Sequence, residues 1–168
     1  MLPSAAPEGK TSRQAGPLAS TVTAPINEEH ALSPREERRA DFLWLEAGGV
    51  ELFVGDFFAT TRELLGACNA YYDRAALVAL PPEMRPRYVR HVRSLLPNDA
   101  PGLVVTFEYD QQAVSGPPFS VPEDEVRREF AGAKVRLLAR DPAELTRARS
   151  SGVPVVDCCY EILLSAGS

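Results

Sequence analysis

Three short stretches hold the residue types that could do chemistry. They are VGDFF with Gly55 and Asp56, YYDR with Asp73 and Arg74, and FEYD with Glu108, Tyr109 and Asp110, the last leading into GPPF at 116–119. An arginine keeps its charge at any working pH and presents a rigid fork of donors, so Arg74 could steady an anionic group on a ligand. Asp73 and Arg74 stand between Tyr71–Tyr72 and the apolar run Ala75–Leu80. A charge at the end of an inner strand costs several kcal/mol of desolvation unless it is paired or meets a ligand. Plainer roles are open as well: Asp56 could cap the next turn, and Arg74 could pair with Asp73 or Glu108. No nucleophile–base pair stands out, and GxSxG, P-loop, HExxH and GxGxxG patterns are absent, which disfavours covalent and metal catalysis.

The whole chain sets the bounds. At 168 residues and 45% hydrophobic content, one domain with a sizeable core is the default. The net charge of −5 argues against a general nucleic-acid binder, since phosphate binding needs a basic surface. Cys68, Cys158 and Cys159 form no CxxC and no disulfide framework. Cys158 and Cys159 are neighbours, so on a strand they face opposite sides, and a buried structural role is expected. His30 and His91 stand alone, and no metal site is expected. No apolar run reaches the roughly 18 residues of a membrane span. A basic start followed by an apolar core is also absent, so a cytoplasmic protein without membrane or nucleic-acid partners is expected.

The elements that must position these residues follow from pattern. Residues 1–25 are rich in Pro, Ala, Ser, Thr and Gly and read as a disordered tail, with the domain over 26–168. Ile26–Leu32 could end a short helix before Pro34. In RRADFLWLEAGGVELFVGDFF, Phe42, Trp44 and Glu46 alternate with Leu43 and Leu45 about an AGG turn, a hairpin signature. A strand is expected at 70–73. A helix is expected over Glu83–Leu96, with Met84, Tyr88, Val92 and Leu95 as its stripe and Arg85, Arg87, Arg90 and Arg93 on a solvated face. GLVVTFEYD reads as an inner parallel strand. A helix begins near Ser120 or Pro122, its acids Glu123, Asp124 and Glu125 suiting the helix dipole. A strand at Lys134–Ala139, a helix at Pro142–Arg149 and a last strand at Val155–Leu164 complete an α/β layered fold. In such sheets ligands bind beyond the carboxyl ends of the strands, where the three polar stretches fall.

Taken together, VGDFF, YDRAALVALPPEMRPRY, EYD, GPPFSVPEDEV and ARSSGVPVVDCCYEILL resemble the thiopurine S-methyltransferase family. The resemblance runs from about Ile26 to Leu164. It implies a class I methyltransferase (Rossmann-like) sheet with an antiparallel last strand, S-adenosyl-L-methionine as methyl donor, and methyl transfer to the sulfur of thiopurines or aromatic thiols. Bacterial relatives add selenium or tellurium compounds as acceptors. Carried over by matching position, Gly55 and Asp56 would lie against the adenosine. Arg74 would contact the cofactor region and border the substrate, and Arg147 would be the second substrate-side arginine. Gly116, Pro117, Pro118 and Phe119 would border the acceptor pocket.

The front of the sequence departs from the family pattern. The family's N-terminal helix, its glycine-bearing loop and the strand ending in the ribose-binding glutamate have no counterpart here. In the fold's own numbering its order is 3-2-1-4-5-7-6, and this sequence is expected to lack the first two strands. A partial domain, a monomer with strand edges open to self-association, and weak or no cofactor binding are the expectations that follow. The alternative is a truncated, non-catalytic remnant or an interaction module.

Overall fold

A computed structural model describes residues 34–143 and 152–165. The expected tail at 1–25, the helix end at 26–32 and Arg147 lie outside the described residues. The chain divides into two compact units, Met1–Phe57 and Phe58–Ser168.

In the first unit, strands β1 (Arg35–Arg39), β2 (Phe42–Ala47) and β3 (Val50–Val54) form an antiparallel meander in the order β1-β2-β3. The expected hairpin is β2–β3, closed at Gly48 and Gly49, whose φ values of +59° and +82° suit glycine. Strand β1 is an addition that the sequence pattern did not announce. Its residues, REERR, carry no apolar alternation; side chains across the sheet hold it instead. The Arg39 guanidinium lies 3.5 Å from the Trp44 ring centroid, and the indole N–H of Trp44 donates to Glu51 at 2.6 Å.

The second unit carries a four-stranded sheet in the order β4-β5-β7-β6, from β4 (Tyr71–Arg74), β5 (Pro101–Glu108), β6 (Lys134–Ala143) and β7 (Val155–Leu163). Strands β4 and β5 are parallel, and β7 runs antiparallel to both β5 and β6. This is the expected single layer with its antiparallel last strand, and it follows the 4-5-7-6 part of the implied order. Strand β6 corrects one boundary. It continues to Ala143, so the helix expected from Pro142 does not begin there. The ladder partners Val155–Cys158 hold Arg140–Ala143 extended, and pairing overrides the turn tendency of Asp141–Pro142.

Helices α1 (Arg62–Leu65), α2 (Ala76–Ala79), α3 (Arg85–Leu95) and α4 (Glu123–Glu129) complete the unit. The α3 helix starts two residues later than expected, after a 3-10 turn at Pro82–Met84. Leu77 and Val78 of α2, Tyr88, Val89 and Val92 of α3, and Val126 of α4 join Val104, Cys158, Tyr160 and Ile162 in one buried cluster. The strand residues of that cluster alternate, so one face of the sheet is covered. On the other face Tyr72 and its cross-strand partner Leu103 are exposed.

Gly102 pairs with Tyr71 across the β4–β5 ladder, and the Tyr71 ring occupies the space that a Cβ at 102 would need. Gly102→Ala is therefore expected to displace that ring and to lower stability by roughly 1–3 kcal/mol. Ile162→Ala, in the fully buried cluster, should cost about 2–5 kcal/mol. Val50→Ala, at an exposed strand position, should stay within about 0.5 kcal/mol. Urea unfolding of the three variants measures the contrast.

Candidate functional site

Parallel pairing sets the carboxyl ends of β4 and β5 on the same side of the sheet. Arg74 ends β4 opposite Val105, and β5 runs on to Glu108. Asp73 and Arg74, adjacent in sequence, go separate ways there. Asp73 points into the protein and is 3% exposed. Its carboxylate accepts the backbone N–H of Ala76 at 3.0 Å, that of Leu77 at 3.2 Å, and the hydroxyl of Tyr88 at 2.8 Å. It thus takes up the first donors of α2, which no helical carbonyl can satisfy. Burial, with the Asp73 charge adding to it, pushes the Tyr88 phenol well above its ordinary range, so Tyr88 stays a donor at any working pH.

Arg74 is exposed and makes no ion pair or side-chain hydrogen bond among the described residues. The two acids that the sequence offered it are engaged elsewhere. Asp73 holds α2, and Glu108 accepts the Glu123 N–H at the start of α4 while pairing with Arg140. The Asp73–Arg74 and Arg74–Glu108 pairs that the sequence leaves open are therefore not formed. Between Arg74 and α2 stands Ala75 at φ +106°, a left-handed conformation in which an alanine is strained.

The 116–119 loop is built onto the same turn of chain. Phe119 donates its N–H to the Val78 carbonyl of α2 at 2.6 Å. The Phe119 ring folds back over Gly116 and fills the space of a Cβ there, which explains the glycine. Both Gly116–Pro117 and Pro117–Pro118 are cis. Tyr109 donates its hydroxyl to the Pro118 carbonyl at 2.5 Å, and its N–H to Ser120 Oγ at 3.1 Å. Asp110, the other acid of FEYD, caps its own turn by accepting from Gln112 N–H at 2.9 Å. Of the sequence-level candidates in this unit, Arg74 and Gly116–Phe119 are thus linked through α2, whereas Glu108 and Asp110 serve local structure.

Gly55 and Asp56 follow β3 in the first unit. A Cβ on Gly55 would come within 2.5 Å of the Phe42 ring, so packing inside that unit already requires glycine. Asp56 is exposed.

Sequence reasoning missed two residues. Tyr88 was read as core only, yet it binds Asp73. Arg85 was placed on a solvated helix face, and the structure corrects this: it is 1% exposed. Its Nη1 donates to Glu125 Oε1 at 2.6 Å, its Nε donates to the Leu80 carbonyl at 3.0 Å, and its guanidinium carbon lies 5.8 Å from the Phe119 ring centroid. The signal was in the spacing. Arg85 falls three residues before Tyr88 and seven before Val92, on the stripe that enters the core.

Two comparisons bear on this arrangement. Residues 18–162 match the thiopurine S-methyltransferase family. The thiopurine S-methyltransferase of Pseudomonas aeruginosa strain UCBPP-PA14 is 46% identical over 115 residues, which make up 68% of this chain and 53% of that protein. That of Pseudomonas syringae pv. tomato is 46% identical over 105 residues, 62% of this chain and 48% of that protein. That of Pseudomonas paraeruginosa strain PA7 is 45% identical over 124 residues, 73% and 57% respectively. The chain spans about half the length of these curated relatives.

Removing the Asp73 carboxylate strands two backbone donors and a buried hydroxyl. Asp73→Ala should therefore cost about 3 kcal/mol or more, and Tyr88→Phe about 1–2 kcal/mol, in urea unfolding. A pH effect should come from Cys158, whose thiol is pushed from 9.0 up to about 11, by burial first and by the Glu108 charge second. The folded state then keeps a proton that the unfolded state releases. Stability from this group is whole below pH 9 and falls as pH rises towards 11. Melting curves of the wild type and Cys158→Ala should converge over that alkaline window.

Proposed function

We propose that this chain, which belongs to the thiopurine S-methyltransferase family, carries the acceptor side of a site for S-adenosyl-L-methionine-dependent methyl transfer to the sulfur of thiopurines or aromatic thiols. The observation that carries the reading is Arg74, an exposed cation at the carboxyl end of a parallel strand with no acid partner among the described residues. A guanidinium so placed fits an anionic ligand group, which is what an ionised thiol or an amino-acid carboxylate would present. S-adenosylmethionine, when bound, supplies a methyl group on a sulfonium. Transfer to sulfur needs in-line alignment more than acid–base catalysis. Arg74 would favour the thiolate form of the acceptor, whose proton goes to solvent. Phe119 would offer an apolar wall to a heteroaromatic ring. Gly55 and Asp56 would lie against the adenosine, and Arg147 would be the second substrate-side arginine. Soft selenium and tellurium compounds share the polarisability of sulfur and extend the acceptor class.

The test measures transfer of labelled methyl from S-adenosylmethionine to a thiopurine and to an aromatic thiol, with calorimetric titration of the cofactor alongside. With the family's N-terminal part joined to this chain, Arg74→Ala should lower turnover about 30- to 1000-fold, corresponding to a lost charged contact of about 2–4 kcal/mol, and leave the melting temperature nearly unchanged. Arg147→Ala should act in the same direction. A large fall in melting temperature with near-normal turnover per folded molecule would sink the catalytic reading of Arg74. Wild-type protein that neither binds cofactor nor transfers methyl would point to an interaction module instead.

A further inference from the structure

Arg85 is a fully buried cation that no step of the methyl transfer uses, and two of its guanidinium nitrogens, Nε and Nη1, are bonded. Its guanidinium reaches three separate pieces of chain. It donates to the Leu80 carbonyl just after α2, at 3.0 Å. It pairs with Glu125 in the first turn of α4, at 2.6 Å. Its guanidinium carbon also stands 5.8 Å from the Phe119 ring centroid. Phe119 is in turn closed against Gly116 on one side and bonded through its N–H to Val78 of α2 on the other.

A buried ion pair is a poor device for stability alone, because desolvation of both charges offsets much of their attraction. A residue of that kind is better explained by what its geometry fixes. The Leu80 carbonyl and Val78 carbonyl belong to one short turn, which starts beside Arg74, while Glu125 stands in the first turn of the helix that follows the 116–119 loop. The fork of Arg85 therefore locks the far end of the Arg74 turn to the far end of the loop, with Phe119 held between. We propose that Arg85 is a positioning residue that sets the 116–119 loop and, through Phe119, the fit of the aromatic acceptor. This rests on the acceptor-site reading given above. Lysine could keep the charge opposite Glu125, but a single ammonium cannot bond Leu80 and Glu125 in the same plane while facing the ring.

The experiment is hydrogen exchange by NMR on the whole chain, read at the Phe119 amide and at the amides of β5 and β7. In Arg85→Lys the Phe119 amide should exchange about 10-fold faster relative to the strand amides. Phe119→Leu leaves the Arg85–Glu125 pair intact and should loosen the same amide, which covers the case of an Arg85 variant that fails to fold. With methyl transfer measured in parallel, Arg85→Lys should raise the acceptor KM about 10-fold and leave the cofactor KM within about twofold. Unchanged exchange at residue 119, or an equal rise at residue 119 and throughout the strands, overturns the proposal. Equal rises in both KM values overturn it too. If the wild type transfers no methyl group, the acceptor-site reading fails, and the exchange data still decide whether Arg85 sets the loop.

Discussion

The second unit depends on one buried carboxylate. Asp73 is the penultimate residue of β4, an edge strand of the four-stranded sheet, where the chain must stop being extended and begin a helix of a single turn, Ala76–Ala79. So short a helix does not form from propensity, because nucleation fixes several residues for very few bonds. Asp73 changes that balance by accepting two of its N–H groups, Ala76 at Oδ1 and Leu77 at Oδ2, while the Tyr88 hydroxyl also donates to Oδ2. The cost of burying the charge is met by three donors instead of a cation. This is why the neighbouring arginine is released to the surface.

Once that turn is formed, its carbonyls become the anchor for chain that is distant in sequence. Val78 holds Phe119 and Leu80 holds Arg85. The 116–119 loop has few options of its own: its Phe119 N–H is bonded to Val78, its Pro118 carbonyl accepts from Tyr109, and two prolines remove donors that could have paired elsewhere. Glu108, which the sequence offers as a reactive acid, instead joins the start of α4 to β6 through Glu123 and Arg140. Acids at these strand ends therefore act mainly on backbone and on arginines of neighbouring elements, and they leave Arg74 as the group that faces outward.

Much of this layout is legible in the sequence because apolar alternation and chain order carry it. The β2–β3 hairpin, the β4, β5 and β7 strands, and the α4 start just after Pro122 all follow from local pattern. What pattern does not carry is pairing. Strand β1 is all charge, REERR, and exists through its ladder with β2 and the stacking of Arg39 on Trp44. The end of β6 stays extended because β7 lies beside it, against the local signal of Asp141–Pro142. Arg85 carries a charge that suggests the solvated face, yet its position three residues before Tyr88 sets it on the buried stripe. Asp73 stands out in the sequence as a charge beside a cation, but its nearer donors are the backbone N–H groups of Ala76 and Leu77, which no side-chain pattern reveals. At the site, Arg74 and the 116–119 loop were visible as motifs, whereas the α2 link between them was not, since it consists of backbone bonds that any sequence could make.

Ala75 shows what the arrangement costs. A φ of +106° is unfavourable for alanine by roughly 1–3 kcal/mol, and glycine would relieve it. Glycine would also add backbone freedom directly beside Arg74. An alanine held in the left-handed region has few other conformations to visit, so the direction of the residue before it is narrowly set. The strain persists because the Asp73 bonds on the next turn, each worth about 1.5–3 kcal/mol when a charged group accepts, outweigh it. Strain at position 75, burial of Asp73 and exposure of Arg74 are in this sense one feature. The sheet end is constrained at the backbone: the strained Ala75 and the capped turn after it narrowly set the chain that carries the exposed Arg74.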